Sequence, residues 1–296
     1  MIEDQSVVAR TFERIRYEVV DGVIARVVLA RPDVKNAQDK QLLYELNEAF
    51  DRACRDDDIR VIVLAADGSD FSSGHDLRDF SPWSEQVPVT GQGGFDLPKA
   101  EGHMAREAEI CMGLSWRWRN LPKPMIAEVQ GRVIAGGLML IWPCDIIVAS
   151  EDARFSDPVV AFGLNGHEYF THVWELGARK AKEFLFFGEQ LTAEEAHRLG
   201  MVNRVVPREE LENITMDMAR RLAERPTMGV KLAKMSVNQS LDAQGMWSAI
   251  QAAFGLHELA HAHNMATYDS LIVKGSMSVI RGLSGANRGS SRPAAP

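Results

Sequence analysis

The sequence predicts an α/β fold whose last third is all helix. Three observations carry this. Arg60 to Ala66 is a continuous apolar run (Val61-Ile62-Val63-Leu64), the kind buried on both faces of a sheet. It leads into the loop Phe71-Ser72-Ser73-Gly74-His75-Asp76-Leu77. A second apolar run, Pro124 to Val129, breaks at Gly131 and precedes a Gly136-Gly137 pair that opens a buried helix. After Pro207 helical patterns continue to about Gly275.

The elements follow in order. Ile15 to Val20 and Val23 to Ala30 flank Asp21-Gly22, a hairpin signal, and Arg31-Pro32-Asp33 ends the second strand. From Gln38 to Asp56, Leu42, Leu43, Leu46, Ala49, Phe50 and Ala53 form a helical stripe. Ser81 to Leu97, rich in Pro, Gly, Gln and Ser, has no period and reads as a mobile lid or a disordered loop. A helix is expected from Lys99 to Asn120, stopped by Leu121-Pro122-Lys123-Pro124. A short strand at Ile146 to Ala149 follows, then helices at His167 to Leu176, Arg179 to Phe187 and Ala193 to Leu199, and a strand at Val202 to Val206. Residues 1–210 read as the core with the ligand site, 211–282 as a helical oligomerisation region and 283–296 as a disordered tail.

The 296 residues, 46% hydrophobic and 25% charged, suit one large domain or a domain with a smaller appendage. A formal charge of -8 argues against nucleic acid as the main partner. The three cysteines (Cys54, Cys111, Cys144) form no CxxC and read as buried small hydrophobes plus an incidental thiol. An acidic N-terminus without an apolar signal core, and a longest apolar run interrupted by Pro143 and Asp145, lead to the expectation of a cytoplasmic protein without a membrane span.

The glycine loops suggest chemistry. Glycine lets a ligand approach the backbone, and the first amides of a helix have no internal partner. Two amides converging from the two loops would make an oxyanion hole.

Several segments together resemble the crotonase superfamily, the enoyl-CoA hydratase/isomerase family. They are Arg31-Pro32-Asp33-Val34-Lys35-Asn36-Ala37, the Phe71 to Leu77 loop, the Lys123 to Gly137 block, Cys144 to Ala149, and Leu191 to Val202. The resemblance implies a spiral of ββα turns with C-terminal helices that trimerise, often as dimers of trimers. It also implies an acyl-CoA ligand with no further cofactor. Carried over by position, the oxyanion amides fall on His75 and Gly136, flanked by Ser73 and Gly74, and the CoA-contacting turn on Asp33, Val34 and Lys35.

One departure matters. The two glutamates that hold and activate water in enoyl-CoA hydratases are replaced here by Met139 and Val159, which carry no proton. Candidate substitutes are Asp157, whose alternative is a turn-stabilising role beside Pro158, and Glu168 with His172, which on a helix would share one face as base and orienter. In the haloaryl-CoA dehalogenases the start of this helix carries the reactive carboxylate, although the intervening length differs here. The His75 imidazole is a further candidate. A reading without proton chemistry, an acyl-CoA carrier or regulator, also fits Met139 and Val159.

His257-Glu258-Leu259-Ala260-His261 matches H-E-x-x-H. No glutamate ligand follows it, and the residue three beyond His261 is Asn264 where a longer zinc motif has Gly. Helical spacing produces such a pattern by chance, so no metal is expected. Trp116, Trp118, Phe162 and Phe170 read as core or acyl-tunnel wall, and the methionines as lining for an adaptable apolar cavity.

Overall fold

The computed structural model describes residues 12–79, 83, 86–273, 275, 276 and 278. The expected tail at 283–296 lies outside them. Strands β1 (Ile15–Val20) and β2 (Ile24–Leu29) form the antiparallel hairpin. Its turn uses positive φ at Asp21 and Gly22 and closes through the Val23 N–H on the Val20 carbonyl, so pairing resumes at Ile24 rather than Val23. β3 (Val61–Ala66), β4 (Met125–Val129), β6 (Ile146–Ser150) and β9 (Arg204–Val206) add parallel, giving the order β1-β2-β3-β4-β6-β9. A smaller sheet, β5-β7-β8, joins Arg132–Ile134, Arg154–Ser156 and Leu191–Thr192. Each of β4-β5 and β6-β7 is a strand pair that steps from one sheet to the other. This is the repeat of a crotonase-like ββα spiral.

The period-2 geometry of a strand sends alternate side chains to opposite faces. In β3, Ile62 and Leu64 enter the core shared with α1 (Lys40–Arg55), while Val61 and Val63 enter a second core with Leu211, Met216, Ala219 and Ala223. Those last four belong to α8 (Leu211–Ala223), which packs on the sheet itself. The remaining C-terminal helices are α9 (Thr227–Ala243) and α10 (Met246–Tyr268).

Three expectations change in the structure. The Lys99 to Asn120 helix contains α2 (Lys99–Glu107) and α3 (Leu114–Arg119) joined by a π-helical segment, Ala108–Gly113. The wider turn buries Glu109, which accepts the Thr90 amide at 2.9 Å, while Arg106 donates to the Phe95 carbonyl at 2.6 Å. Of the supposed lid, residues 83 and 86–97 are described, and these bonds tie Thr90 and Phe95 to the helix. The helix expected from His167 begins only at His172, as α5 (His172–Leu176), because Gly166 (φ +151) and the loop to Thr171 hold extended or irregular backbone. Strands β5 and β7 carry no distinctive pattern over three residues each and escape a sequence reading.

Candidate active site

The turn after β2 and the loop after β3 are stitched into one unit. Pro32–Val34 forms a single 3-10 turn closed by the Lys35 N–H on the Pro32 carbonyl, with Lys35 in the left-handed region (φ 56). Asn36, fully buried, donates to the carbonyls of Asp67 and Asp70 at 2.9 and 3.1 Å. Ser72 Oγ donates to the Asn36 carbonyl at 2.9 Å, the Ser73 N–H to the Lys35 carbonyl at 3.0 Å, and the Gln38 N–H to the Gly74 carbonyl at 2.8 Å. Asp33 and Lys35 thus stand exposed, with Val34 half-buried, directly beside the Ser73-Gly74-His75 loop.

That loop meets the second glycine turn. Ile134 donates to the Ser72 carbonyl at 3.0 Å, and Ala135 to the Ser156 carbonyl at 2.9 Å. Gly74 has φ +88, and a methyl there would lie 2.8 Å from the Ile134 oxygen and 3.4 Å from the Gly136 nitrogen. Ala135 precedes helix α4 (Gly136–Ile141) at φ 46, ψ -108, a conformation foreign to residues with a side chain. Among the described residues, neither the His75 nor the Gly136 N–H is donated to a protein acceptor. Two N–H groups on adjoining loops are thus left without a protein acceptor among the described residues.

The His75 imidazole lies over the same glycine: a methyl on Gly136 would stand 2.9 Å from its Cε1 and 3.0 Å from its Nε2. Behind it, Glu168 Oε1 is 3.3 Å from His75 Nε2. Glu168 is 4% exposed, whereas 29% of the His75 side chain is reachable. Burial favours the neutral forms of both groups, but each stabilises the other's charge. The net effect raises the His75 pKa and holds the Glu168 carboxyl below the usual carboxylate range.

The expected Glu168–His172 pair does not form, because Glu168 precedes the helix. His172 instead faces Asp157, Nε2 to Oδ2 at 2.8 Å, with both side chains at 0% exposure. Asp157 Oδ2 also accepts the His167 N–H at 3.0 Å. Burial pushes this carboxyl up, but the His172 hydrogen bond and the neighbouring imidazoles outweigh it and lower its pKa. Trp142 and Phe170 pack against the His172 ring. The pair has no surface to offer a ligand, and its partners give Asp157 the part of a loop anchor. Met139 and Val159 are buried apolar residues, 1% and 6% exposed.

The structure also gathers residues the sequence reading left apart. His103 and Glu107 on α2 meet His257 and His261 on α10, and this cluster touches Glu168 through His257. The i, i+4 spacing of each pair was visible in the sequence; their meeting was not. A cavity of about 640 Å³ opens beside the cluster, with His103, Arg106, Glu258, His261 and Met265 in its wall. No described helix is long and apolar enough to cross a membrane.

Comparison with known proteins agrees with this architecture. Residues 20–270 match the family model described as enoyl-CoA hydratase/isomerase. EchA13 of Mycobacterium tuberculosis is 47% identical over 262 residues, covering 86% of this chain and 82% of its own. The human mitochondrial enoyl-CoA hydratase domain-containing protein 3 is 32% identical, over 84% of this chain and 76% of its own. A crystal structure of a probable enoyl-CoA hydratase from Mycobacterium smegmatis superposes with a TM-score of 0.80 at 46% identity, covering 88% of this chain and 98% of that one. The chain belongs to the enoyl-CoA hydratase/isomerase family, within the crotonase superfamily.

Proposed function

We propose that the chain binds an acyl-CoA thioester and stabilises its enolate through the amides of His75 and Gly136. The observation that carries this reading is that these two N–H groups, on adjoining loops, have no protein acceptor among the described residues. A thioester is a weak carbon acid until charge on its oxygen is accommodated. Each fixed amide aimed at that oxygen contributes about 3 kcal/mol to the transition state. The turn of Asp33, Val34 and Lys35, tied to the loop through the Lys35 carbonyl, is placed to meet the CoA moiety.

The proton-moving group in this reading is the His75–Glu168 pair, with His75 the reachable partner and Glu168 its buried counter-charge. One such pair suffices for a double-bond shift in an enoyl-CoA. It takes the α proton of a 3-enoyl thioester, leaving the enolate, and returns a proton to the γ carbon as the double bond moves to the 2-position. Hydration demands an activated water as well, and Met139 and Val159 supply no carboxylate for it. The same two residues favour a second reading, a protein that holds acyl-CoA without transforming it.

Purified protein offered short, medium and long 2-enoyl- and 3-enoyl-CoAs separates these. Turnover abolished by His75→Gln or Glu168→Gln supports the enzyme, and turnover indifferent to both rejects the assigned pair. Measurable acyl-CoA binding with every substrate unchanged establishes the carrier. Assembly belongs to the same proposal: exposed Met228, Leu232, Met235, Val237, Leu256 and Leu259 on α9 and α10 suit burial against further copies in a trimer or dimer of trimers. A monomer in sedimentation experiments would contradict it.

A further inference from the structure

We infer that His103, Glu107 and His261, with His257 alongside, form a binding site for a divalent transition metal of the zinc class, at the end of the cavity between α2 and α10. The two helices each present an i, i+4 pair, which puts both side chains of a pair on one helix face. Face to face, the pairs bring three imidazoles and one carboxylate together, the hard-to-soft mixture that zinc, cobalt and nickel accept.

The separations suit an ion. Four donors at about 2.05 Å from a tetrahedral centre stand roughly 3.3 Å from one another. Here His257 Nε2 and His261 Nε2 are 3.1 Å apart, and His103 Nε2 is 3.0 Å from Glu107 Oε1. His261 Nε2 is 3.5 Å from the same Oε1, so one atom each from His103, Glu107 and His261 lies within 4.8 Å of the others, while His257 Nε2 approaches the second carboxylate oxygen, Oε2, at 3.5 Å.

The tautomers point the same way. His257 Nδ1 is 2.8 Å from the Gly166 carbonyl and His261 Nδ1 is 2.9 Å from the Leu271 carbonyl. A carbonyl can only accept, so each Nδ1 carries the proton, the arrangement that orients most metal-bound histidines. The two Nε2 atoms then face each other across 3.1 Å from side chains 3% and 7% exposed. His103 Nε2 and Glu107 Oε2 are buried atoms without a hydrogen-bond partner. A cation held by His103, Glu107 and His261 meets these demands together. The donors missing from the sequence around H-E-x-x-H come from a helix about 150 residues earlier, and Glu258, with a buried unpartnered Oε1, borders the cavity beside them.

The site stands on its own residues and does not rest on the acyl-CoA reading. The test uses the full chain without an affinity tag, stripped with chelator and titrated with cobalt(II) and zinc(II). The expected result is one ion per chain, four-coordinate cobalt absorption in the visible, and displaced imidazole nitrogen resonances on adding zinc to the wild type. His103→Gln, at the cavity end, and Glu107→Gln are expected to weaken binding by about tenfold or more, with folding followed by circular dichroism. His263→Gln, exposed on the same helix, leaves binding unchanged. Absence of stoichiometric binding, or wild-type imidazole resonances unmoved by zinc, overturns the proposal and identifies a protonated imidazole network in its place.

Discussion

His75 leaves its main-chain N–H without a protein acceptor among the described residues and holds its imidazole 3.3 Å from Glu168, a carboxylate 93 residues further along the chain. In the proposed reading one residue ties the place where thioester charge would develop to the place where a proton would be taken up. The same ring stands against Gly136, where an added methyl would lie 2.9 Å from its Cε1.

Removing either half of the pair should cost the proton-transfer contribution, about 10² to 10⁴-fold in kcat. His75→Gln and Glu168→Gln are expected to give similar losses, and the double variant little more than either alone, because the two side chains act as a unit. Steady-state kinetics on the most active enoyl-CoA measures this. Additive losses would mean that the residues act independently.

Gly136→Ala tests the oxyanion pair. The added methyl would stand 2.9 Å from His75 Cε1 and 3.0 Å from Gln38 Oε1, so both side chains must shift beside the amide. A drop of about 10² to 10³ in kcat is expected, with a nearly unchanged melting temperature. Retention of wild-type turnover by a folded Gly136→Ala protein would remove this amide from the mechanism.

The parts of this site that could be read in the sequence are those set by local chemistry. The glycines at 74 and 136, the turn at 32–35 and the apolar strands need only their neighbours to declare themselves, and they lie where the pattern placed them. Glu168 was visible as a candidate, yet its partner was misassigned. An i, i+4 pairing with His172 presupposes a helix, and the backbone around Gly166 refuses one. His172 then finds Asp157, 15 residues earlier, across a fold that no local pattern encodes. The same holds for His103 and Glu107 against His257 and His261: both helix faces were legible, but their meeting depends on how α10 packs against α2.

Asp157→Asn should destabilise the fold rather than alter chemistry alone. It removes the charge facing His172 and weakens the acceptor of the His167 amide in a site without exposure, a change of about 3 kcal/mol or more. Because the folded carboxyl has a pKa below its ordinary 3.8, its contribution is present above that value. It is lost as pH falls through the lower folded value. The gap between wild type and variant in urea unfolding is therefore expected to be full near neutrality and to shrink towards strong acid. A gap independent of pH would show that the charge has no part in it.

Glu175 predicts the opposite sign. Burial at the end of α5 raises its pKa from 4.5 to about 8. Between those values the folded state holds a proton that the unfolded chain has released, so stability falls as pH rises through the window. Glu175→Gln cannot titrate. It should match the wild type at acid pH and exceed it progressively up to about pH 8, by about 1–3 kcal/mol once the partial exposure of the side chain is allowed for. Thermal melts of the two proteins across this range decide it. Curves that stay parallel would mean that Glu175 is ionised throughout, with a cation or solvent reaching it that this packing does not provide.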